Sequence, residues 1–274
     1  MKMENVILVF MKDWREIRRN WQIILPVVTI PIVFSVFLPL VTLLIPYLAG
    51  TSMSATQGFE SLINNLPSQV QLEMAEMTEQ QRTIYMIALY FFAPFFLIIP
   101  LMASSVLASD SFAGEKERKT IEALLATPIS DSELFLGKTM VSFVPAMAVT
   151  TLAFALYSVI VNAISFSVFG GRMLLPNLVW MLLIFGVAPT IALAGIGLTV
   201  IISARVKGAR EAQQISALLL IPIFILLFGQ ASGAVVLGPL VVMALIGLFV
   251  VIDALVIYLG VRLFHREEIL SRLA

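Results

Sequence analysis

Gly137, Lys138 and Thr139 close the most polar stretch of the chain, 111–139, and nucleotide-binding loops end in the same residue types. Such a loop has the form G-x-x-x-x-G-K-[ST] between a strand and a helix, because several backbone amides must curl around the phosphates. The window here is S-E-L-F-L-G-K-T, so Ser132 replaces the first glycine and bulky apolar residues fill the loop. The window also begins an apolar run instead of following a strand. The sequence therefore argues against an ATP site in this chain.

Side chains for catalysis or metal binding are scarce. The chain has no cysteine and one histidine, His265, which excludes thiol chemistry, disulfides and a multi-histidine metal site. An intramembrane enzyme needs a constellation such as two aspartates or a serine with a base, and only Asp253 falls well inside an apolar run. We therefore expect no catalytic residue, no metal site, no cofactor bound by this chain and no enzymatic activity of its own.

Asp253 is the ionisable residue of the apolar segments that could act on a substrate or an ion. It lies in F-V-V-I-D-A-L-V-I-Y-L-G, where a charged carboxylate costs roughly 2.5 to 3.5 kcal/mol on insertion scales. No basic residue is near it on the same helix, since Arg262 follows about 13 Å further along. Two interpretations stay open: a polar point on a transport pathway, or a hydrogen bond that fixes helix packing.

The composition of the chain indicates an integral membrane protein. Of the 274 residues, 60% are hydrophobic and 12% are charged, and the mean hydropathy is +1.01, which exceeds what one water-soluble core could bury. The net charge of zero gives no reason to expect a nucleic-acid partner. A spanning helix needs about twenty apolar residues, so we divided the chain at its polar interruptions. The six predicted spans cover 23–48, 84–108, 134–162, 176–202, 214–230 and 238–264.

Lysine and arginine indicate how the predicted spans are oriented. All of them except Arg82 and Arg172 fall in the N-terminal segment, in 110–138, in 203–213 or in the C-terminal tail. Because basic residues favour the cytoplasmic side, we expect a multi-pass plasma-membrane protein with both termini in the cytoplasm. The connection 49–83 is then extracytoplasmic. We interpret it as a cap with one or two short amphipathic helices, or alternatively as a solvated linker.

Residues 1–22 predict an amphipathic helix that lies in the cytoplasmic interface of the membrane. Apolar residues recur at spacings of three and four, while basic residues occupy the other faces. The apolar positions are Met3, Ile7, Phe10, Trp14, Ile17 and Trp21. A short coiled coil is the weaker alternative for this pattern. We therefore separate this helix from a single six-span domain over 23–274.

The polar stretch 111–139 predicts a short cytoplasmic helix over 114–128. Glu115 and Glu117 stand in its first turn, where the helix dipole favours anions, and Pro128 ends it. Three apolar residues at helical spacing form one edge. A helix of this length frays alone in water. We therefore expect it to dock onto a partner, and a subunit that delivers the energy of ATP is one candidate.

The same residues resemble the permease subunits of type-2 ABC transporters, exporters whose membrane chain is separate from the ATPase. Residues 114–128 are G-E-K-E-R-K-T-I-E-A-L-L-A-T-P. They are similar to the family's G-E-[KR]-E-x-G-T-[LI]-E-x-L-L-x-[TS]-P segment, which forms a coupling helix in a groove of the ATPase. Lys119 stands where the family usually has glycine. Residues 205–214 are similar to the family's second cytoplasmic connection, so the resemblance extends over nearly the whole chain.

The resemblance implies roles for individual residues of both segments. Charged residues of 114–128 would contact the ATPase, and its apolar residues would pack on the permease or in the ATPase groove. The implied coupling residues are Glu115, Lys116, Glu117, Arg118, Thr120, Ile121, Glu122, Leu124, Leu125, Thr127 and Pro128. A second cytoplasmic contact would involve Arg205, Lys207, Arg210 and Glu211.

The resemblance also implies partners and a mechanism. Two copies of a separate ABC ATPase subunit would bind ATP and Mg²⁺, and their closure would move the coupling helices of two permease chains in the lipid bilayer. Those chains would form a homodimer or a heterodimer and export a substrate that nothing in the sequence identifies. The alternative is an ATP-independent secondary transporter or channel that uses Asp253, although the first three spans show no obvious repeat in the last three.

Overall fold

The fold is an all-helical bundle of membrane-spanning length. The computed structural model describes residues 2–44, 63, 65–66, 68–118, 120, 127, 129–206 and 208–263. In this part of the chain there is no strand, and six helices are long and apolar enough to cross a membrane. They are span one (Trp21–Leu44), span two (Glu79–Glu117), span three (Asp131–Ser165), span four (Leu178–Ser203), span five (Ala209–Ala231) and span six (Pro239–Leu263). The predicted all-helical membrane fold with six spans is confirmed.

Spans two and five are longer than hydropathy predicted. Span two was predicted over 84–108, but the helix begins at Glu79, after a capping box of Thr78 and Gln81, and continues to Glu117. Span five begins at Ala209 rather than at 214. Charged residues end an apolar run without ending the backbone hydrogen bonds of a helix, so hydropathy underestimated both lengths. The first residues of the predicted coupling helix therefore continue span two.

Two shorter helices flank the bundle. The N-terminal helix runs over Met3–Ile17, and Asn20 then caps the start of span one by accepting a hydrogen bond from the Gln22 amide. A second short helix, Ser68–Ala75, lies in the predicted extracytoplasmic connection, of which residues 49–62, 64 and 67 are outside the described residues. A helix over Met3–Ile17 thus lies within the predicted range 1–22, and it ends before Trp21.

Wide, π-helical turns precede some of the prolines in the spans. The turn Ile87–Phe91 precedes Pro94 in span two, and the turn Leu183–Val187 precedes Pro189 in span four. Proline has no N–H to donate, and its ring crowds the carbonyl four residues earlier. A wide turn relieves that crowding, and it leaves backbone carbonyls open to donors from neighbouring helices.

Span two is the central helix, and three other spans donate hydrogen bonds to its wide turn. Within its most apolar window 83% of the residues are buried, against 17% in spans five and six. The Tyr157 hydroxyl of span three donates to the carbonyl of Ala88 at 2.7 Å, and the Trp180 indole N–H of span four donates to that of Leu89 at 3.0 Å. The Gln230 amide of span five donates to the next carbonyl, at residue 90. We call these three donors and the carbonyls of residues 88–90 the carbonyl hub.

Aromatic packing surrounds the carbonyl hub. Trp180 and Tyr157 are fully buried and stack with ring centroids 5.0 Å apart, and Phe154 stacks on Trp180 at 5.7 Å. Phe96 of span two meets the indole edge-on at 5.0 Å. Offset and edge-on geometries are the favourable ones for aromatic rings. The aromatic rings therefore fill the core, while the Tyr157 hydroxyl and the Trp180 indole N–H donate to the carbonyls.

Span four approaches its neighbours through small residues. A Cβ atom on Gly186 would lie 2.5 Å from Ile246, and one on Gly197 would lie 2.1 Å from Val256, both on span six. A Cβ on Gly195 would lie 2.7 Å from Leu101 of span two. Larger side chains at these positions would push the helices apart. The small face of span four therefore serves packing within the chain.

The N-terminal helix packs on the beginning of span three. Its buried residues are Val6, Val9, Asp13 and Ile17, whereas Met3, Ile7 and Trp21 of the predicted apolar face are exposed. The buried stripe includes an acid because Asp13 has charged partners in the bundle, which a pattern of apolar residues does not reveal. Ile17 of the predicted apolar face is buried and Phe10 and Trp14 are half-buried, so this face is left only partly on the outside of the molecule.

Candidate functional site

A buried group of charges joins three segments at one end of the bundle. Glu115 lies near the end of span two, Lys138 lies near the start of span three, and Lys12 and Asp13 belong to the N-terminal helix. We call these four residues the ion cluster and this end of the bundle the charged end. Glu115, Lys138 and Asp13 are 1%, 2% and 3% exposed, so three of the four charges are removed from solvent.

Each charge of the ion cluster faces an opposite one. The Lys138 Nζ lies 2.8 Å from Glu115 Oε2 and 3.4 Å from Asp13 Oδ2. The Lys12 Nζ donates to the other Glu115 oxygen and lies 3.2 Å from Asp13 Oδ1. Two acids and two bases are formally neutral together, which is what allows ionised groups to be buried. Removing any one of them would leave an uncompensated charge.

Backbone and hydroxyl groups complete the cluster. The Ser111 hydroxyl donates to Asp13 Oδ2 at 2.7 Å, and Lys138 Nζ donates to the Ser111 carbonyl. Burial disfavours the charged form of Asp13, but the charges of Lys138 and Lys12 and the bond from Ser111 together hold its pKa below the usual value. Burial also opposes the charge of Lys12, whereas its bond to Glu115 and the nearby acids outweigh burial and raise its pKa. Asp13 and Lys12 therefore stay ionised near neutral pH.

The G-K-T residues of the sequence have a structural role here. Gly137 permits close approach of the N-terminal helix, since a Cβ on it would lie 2.7 Å from the Cβ of Val9. Lys138 follows into the ion cluster. Four residues before Gly137, Glu133 completes a capping box with Ser130. Glu133 also accepts a hydrogen bond from the side-chain amide of Asn5 at 2.9 Å. The start of span three is therefore built to receive the N-terminal helix.

Arg118 forms the exposed rim of the cluster. Its guanidinium lies 3.1 Å from Asp110 and 3.6 Å from Glu16 of the N-terminal helix. Gly114 leaves room for this arrangement, because a Cβ there would lie 2.9 Å from the Asp110 carboxylate and 3.1 Å from Arg118. The first glycine of the family-like segment thus serves close packing of charged side chains.

Lys116 and Glu117 reach across to the connection between spans four and five. The Lys116 Nζ donates to the carbonyls of Ser203 at 3.3 Å and Ala204 at 3.1 Å, at the C-terminal end of span four. The Glu117 carboxylate accepts from the Ala209 amide at 3.1 Å, at the first residue of span five. The two connections that resembled the family's cytoplasmic segments are therefore in direct contact.

The predicted coupling residues fall into three groups. Glu115 was expected on a surface that contacts an ATPase, but it is buried against its own chain, because Lys138 and Lys12 supply the charges it needs. Lys116, Glu117, Arg118 and Thr120 are at least partly accessible, and the Thr120 amide donates to the Glu115 carbonyl at 3.0 Å. Thr127 is half-buried. Outside the described residues lie Ile121, Glu122, Leu124, Leu125, Pro128 and Lys207.

The remaining predicted residues lie apart from the ion cluster. Arg205, Arg210 and Glu211 are exposed at the charged end, and Arg210 approaches the Gln22 side chain at 3.5 Å. Asp253 is 7% exposed within span six, and its Oδ1 has no hydrogen-bond partner among the described residues. In the described chain no three metal-ligating side chains come together.

An open groove separates span two from the start of span five. It measures about 230 Å³, and its lining is apolar or polar without charge. The Ser105 hydroxyl lines it, is buried, and has no hydrogen-bond partner in the part of the chain that the structure describes. The lining residues include Leu101, Met102, Ser105, Val106, Gln213, Gln214, Ser216 and Leu220. The groove can accept an apolar group together with a neutral hydrogen-bonding group.

Sequence reasoning missed three members of the ion cluster: Lys12, Asp13 and Lys138. Two of them carried a signal. Asp13 stands between Val9 and Ile17 on one face of the N-terminal helix. Lys138 directly follows Gly137 in a helix that is mostly apolar. A charge at a position that should be buried indicates a partner of opposite charge. The partner itself is set by the tertiary fold.

Comparison with known proteins places this architecture in a family. A protein-family model described as "ABC-2 family transporter protein" matches residues 7–246, which include most of the N-terminal helix, the ion cluster and most of the six spans. No curated protein and no solved structure matches the chain. The family match confirms the resemblance on which the sequence analysis relied.

Proposed function

The chain belongs to the ABC-2 family of transporter proteins, and on that premise we propose that it is the transmembrane permease subunit of an ATP-driven exporter. ATP and Mg²⁺ would be bound by two separate ABC ATPase subunits, and this chain would hydrolyse nothing. The observation that carries the proposal is the contact between the family-like segment and the rest of the charged end. Residues 115–118 touch the N-terminal helix, span three and the connection 203–209.

The coupling mechanism follows from those contacts. When ATP closes the two ATPase subunits, the segment 114–128 moves with them. Glu115 links that segment to Lys138 of span three and Lys12 of the N-terminal helix. Charges held in a buried, mutually neutralising group resist separation. A displacement of the segment is therefore passed to the body of the permease as a whole.

The charged end is the cytoplasmic one in this proposal, and both termini lie there. It holds the basic residues of the N-terminal helix and of both connections, as the positive-inside tendency requires. Exposed Met3, Ile7 and Leu8 on the N-terminal helix would enter the lipid interface beside them. The helix would then be held by lipid on one face and by span three on the other.

A second permease chain, identical or paralogous, would complete the transporter, because two ATPase subunits require two coupling segments. Spans five and six leave most of their apolar surface uncovered, which is available to lipid and to that second chain. The groove between spans two and five supports a transport pathway beside this surface. Its uncharged lining suits an amphiphile.

Asp253 favours a second candidate function, an ATP-independent secondary transporter or channel. Its carboxylate is buried in span six with an oxygen that has no partner among the described residues. Ionisable groups within spans are functional hypotheses by default. In such a protein Asp253→Asn would abolish flux in the absence of any ATPase, whereas in an ATP-driven exporter flux requires nucleotide.

The proposal is tested by ATPase stimulation in lipid nanodiscs. A candidate ABC ATPase subunit is assayed with and without the permease, and with Glu122→Lys, a charge reversal in the implied ATPase contact. We expect the permease to change the ATPase rate and the reversal to weaken that effect at least about fivefold. The matched control is Glu76→Lys, an exposed acid at the opposite end of the bundle. Absence of a complex and of any rate change would overturn the coupling proposal and lead to ion-flux assays on Asp253.

A further inference from the structure

We propose that Lys116 and Glu117 fasten the connection between spans four and five to the coupling segment, so that the start of span five moves with it. These two side chains are positioning residues, and the proposal rests on the function proposed above. We call the two contacts the staple. Through the staple, the connection 203–209 moves with the segment 114–128 and is not an independent contact with the ATPase.

The charges of the staple match the helix ends that they touch. The last carbonyls of a helix carry partial negative charge, and Lys116 donates to those of Ser203 and Ala204 and to the Val206 carbonyl beyond them. The first amides of a helix carry partial positive charge, and Glu117 accepts from Ala209. Two adjacent residues of opposite sign thus hold the end of one helix and the start of the next.

The helix that begins span five depends on Glu117 for a side-chain cap. Its own cap residue is Gly208, which has no side chain to supply one. Gly208 has an extended φ of −160°, which any residue adopts, so glycine is not needed there for its conformation. A Cβ there would lie 2.7 Å from the Glu117 carboxylate, so a larger residue at 208 would displace that flexible side chain. The capping acid thus comes from 92 residues away in the sequence.

The staple leads directly to the groove. Gln213 and Gln214 follow Ala209 by about one helical turn, or roughly 6 to 8 Å, and both line the groove opposite Ser105 of span two. One turn of helix is too short to absorb a displacement of its own first residue. The Ser216 hydroxyl is also 3.0 Å from that of Thr199 in span four. A movement of the coupling segment therefore reaches the groove through one rigid element.

The staple is tested first in the permease alone. The chain has no cysteine, so Thr120→Cys and Arg210→Cys introduce a unique pair, one on each connection, whose cross-linking rate reports how firmly the connections are held together. Glu117→Ala should change that rate about tenfold, since a charge-assisted hydrogen bond is lost, and Glu117→Gln, which keeps an acceptor, should change it less. The matched control is Glu79→Ala, an acid in the first turn of another helix at the opposite end. An unchanged rate in Glu117→Ala would overturn the proposal.

The second arm uses the complex with the ATPase and leaves the coupling residues intact. Gly208→Ala displaces Glu117 from outside the segment 114–128, and a Ser105→Cys, Gln213→Cys pair reports on the groove. We expect nucleotide to change cross-linking of this pair at least about fivefold with Gly208 and less than about twofold with alanine. Equal nucleotide effects in both would contradict a role of the staple in moving span five. If no complex forms, the proposed function fails, while the first arm still decides whether the staple exists.

Discussion

The carbonyl hub ties three other spans to span two, and the ion cluster ties span three and the N-terminal helix to it, with opposite chemistry. At the hub, the neutral side chains Tyr157, Trp180 and Gln230 donate to backbone carbonyls, and each bond stands by itself. In the ion cluster, Lys138 pairs with both Glu115 and Asp13, so no charge is compensated without the others. A neutral hydrogen bond in the membrane is lost at modest cost, whereas a broken buried ion pair leaves a stranded charge. We therefore expect the hub to tolerate substitution and the cluster to fail as a unit.

The largest expected effect is that of Lys138→Met. The substitution keeps most of the side-chain volume and leaves Lys12 as the one remaining base of the ion cluster, so that one of the two buried carboxylates is uncompensated. We expect a loss of about 3 to 5 kcal/mol in the free energy of unfolding in detergent or bicelles. Arg172→Met, at an exposed position, is the control and should change stability by less than about 0.5 kcal/mol. A loss below about 1 kcal/mol for Lys138→Met would remove the distinction between the two regions.

A second substitution separates charge from packing. Adding Glu115→Gln to Lys138→Met removes the stranded carboxylate and returns the remaining pair, Lys12 and Asp13, to neutrality. We expect the double variant to recover at least about 1 kcal/mol relative to Lys138→Met, as a positive coupling energy in a double-mutant cycle. Simple addition of the two single effects would mean that the cluster acts through contacts rather than through charge balance.

At the carbonyl hub we expect a smaller effect. Tyr157→Phe removes only the hydroxyl that donates to the Ala88 carbonyl, and it keeps the ring between Phe96 and Trp180. The expected loss is about 0.5 to 1.5 kcal/mol, as for single hydrogen bonds between membrane helices. Trp180→Phe is a useful reference, because it also loses ring volume and should cost more. A loss above about 3 kcal/mol for Tyr157→Phe would make the hub as cooperative as the cluster.

The smallest expected effect concerns pH. The lowered pKa of Asp13 stabilises the fold fully above its unfolded value of about 3.9, and this contribution is lost as the pH falls through the lower folded value. The raised pKa of Lys12 stabilises the fold below about 10.4, and this contribution is lost as the pH rises through the higher folded value. The stability difference between the wild type and Asp13→Asn should therefore be constant from about pH 5 to 9 and shrink below about pH 4. A slope within the neutral window would contradict the assigned ionisation states.

The sequence predicted the helices well and their contacts poorly. Six apolar runs of spanning length determine six helices whatever their neighbours, so the span count needed no tertiary information. The wide turn before Pro94 also had a local cause, but its three donors come from distant positions that no pattern connects. Glu115 shows the same limit. Its place in a family-like motif suggested a surface contact, and only the fold shows that Lys138 lies beside it.

The contact of Asp13 with Lys138 has a consequence for how the protein is made. The two residues are separated by 125 positions, so the N-terminal helix is synthesised long before the residue that neutralises its acid. At about 5 to 20 residues per second, that interval is roughly 6 to 25 s. During this interval Asp13 stays in water, and the N-terminal helix lies at the membrane surface without the start of span three to pack on. We expect ribosome-bound chains that end before Lys138 to expose this helix to protease, and chains that extend past span three to protect it.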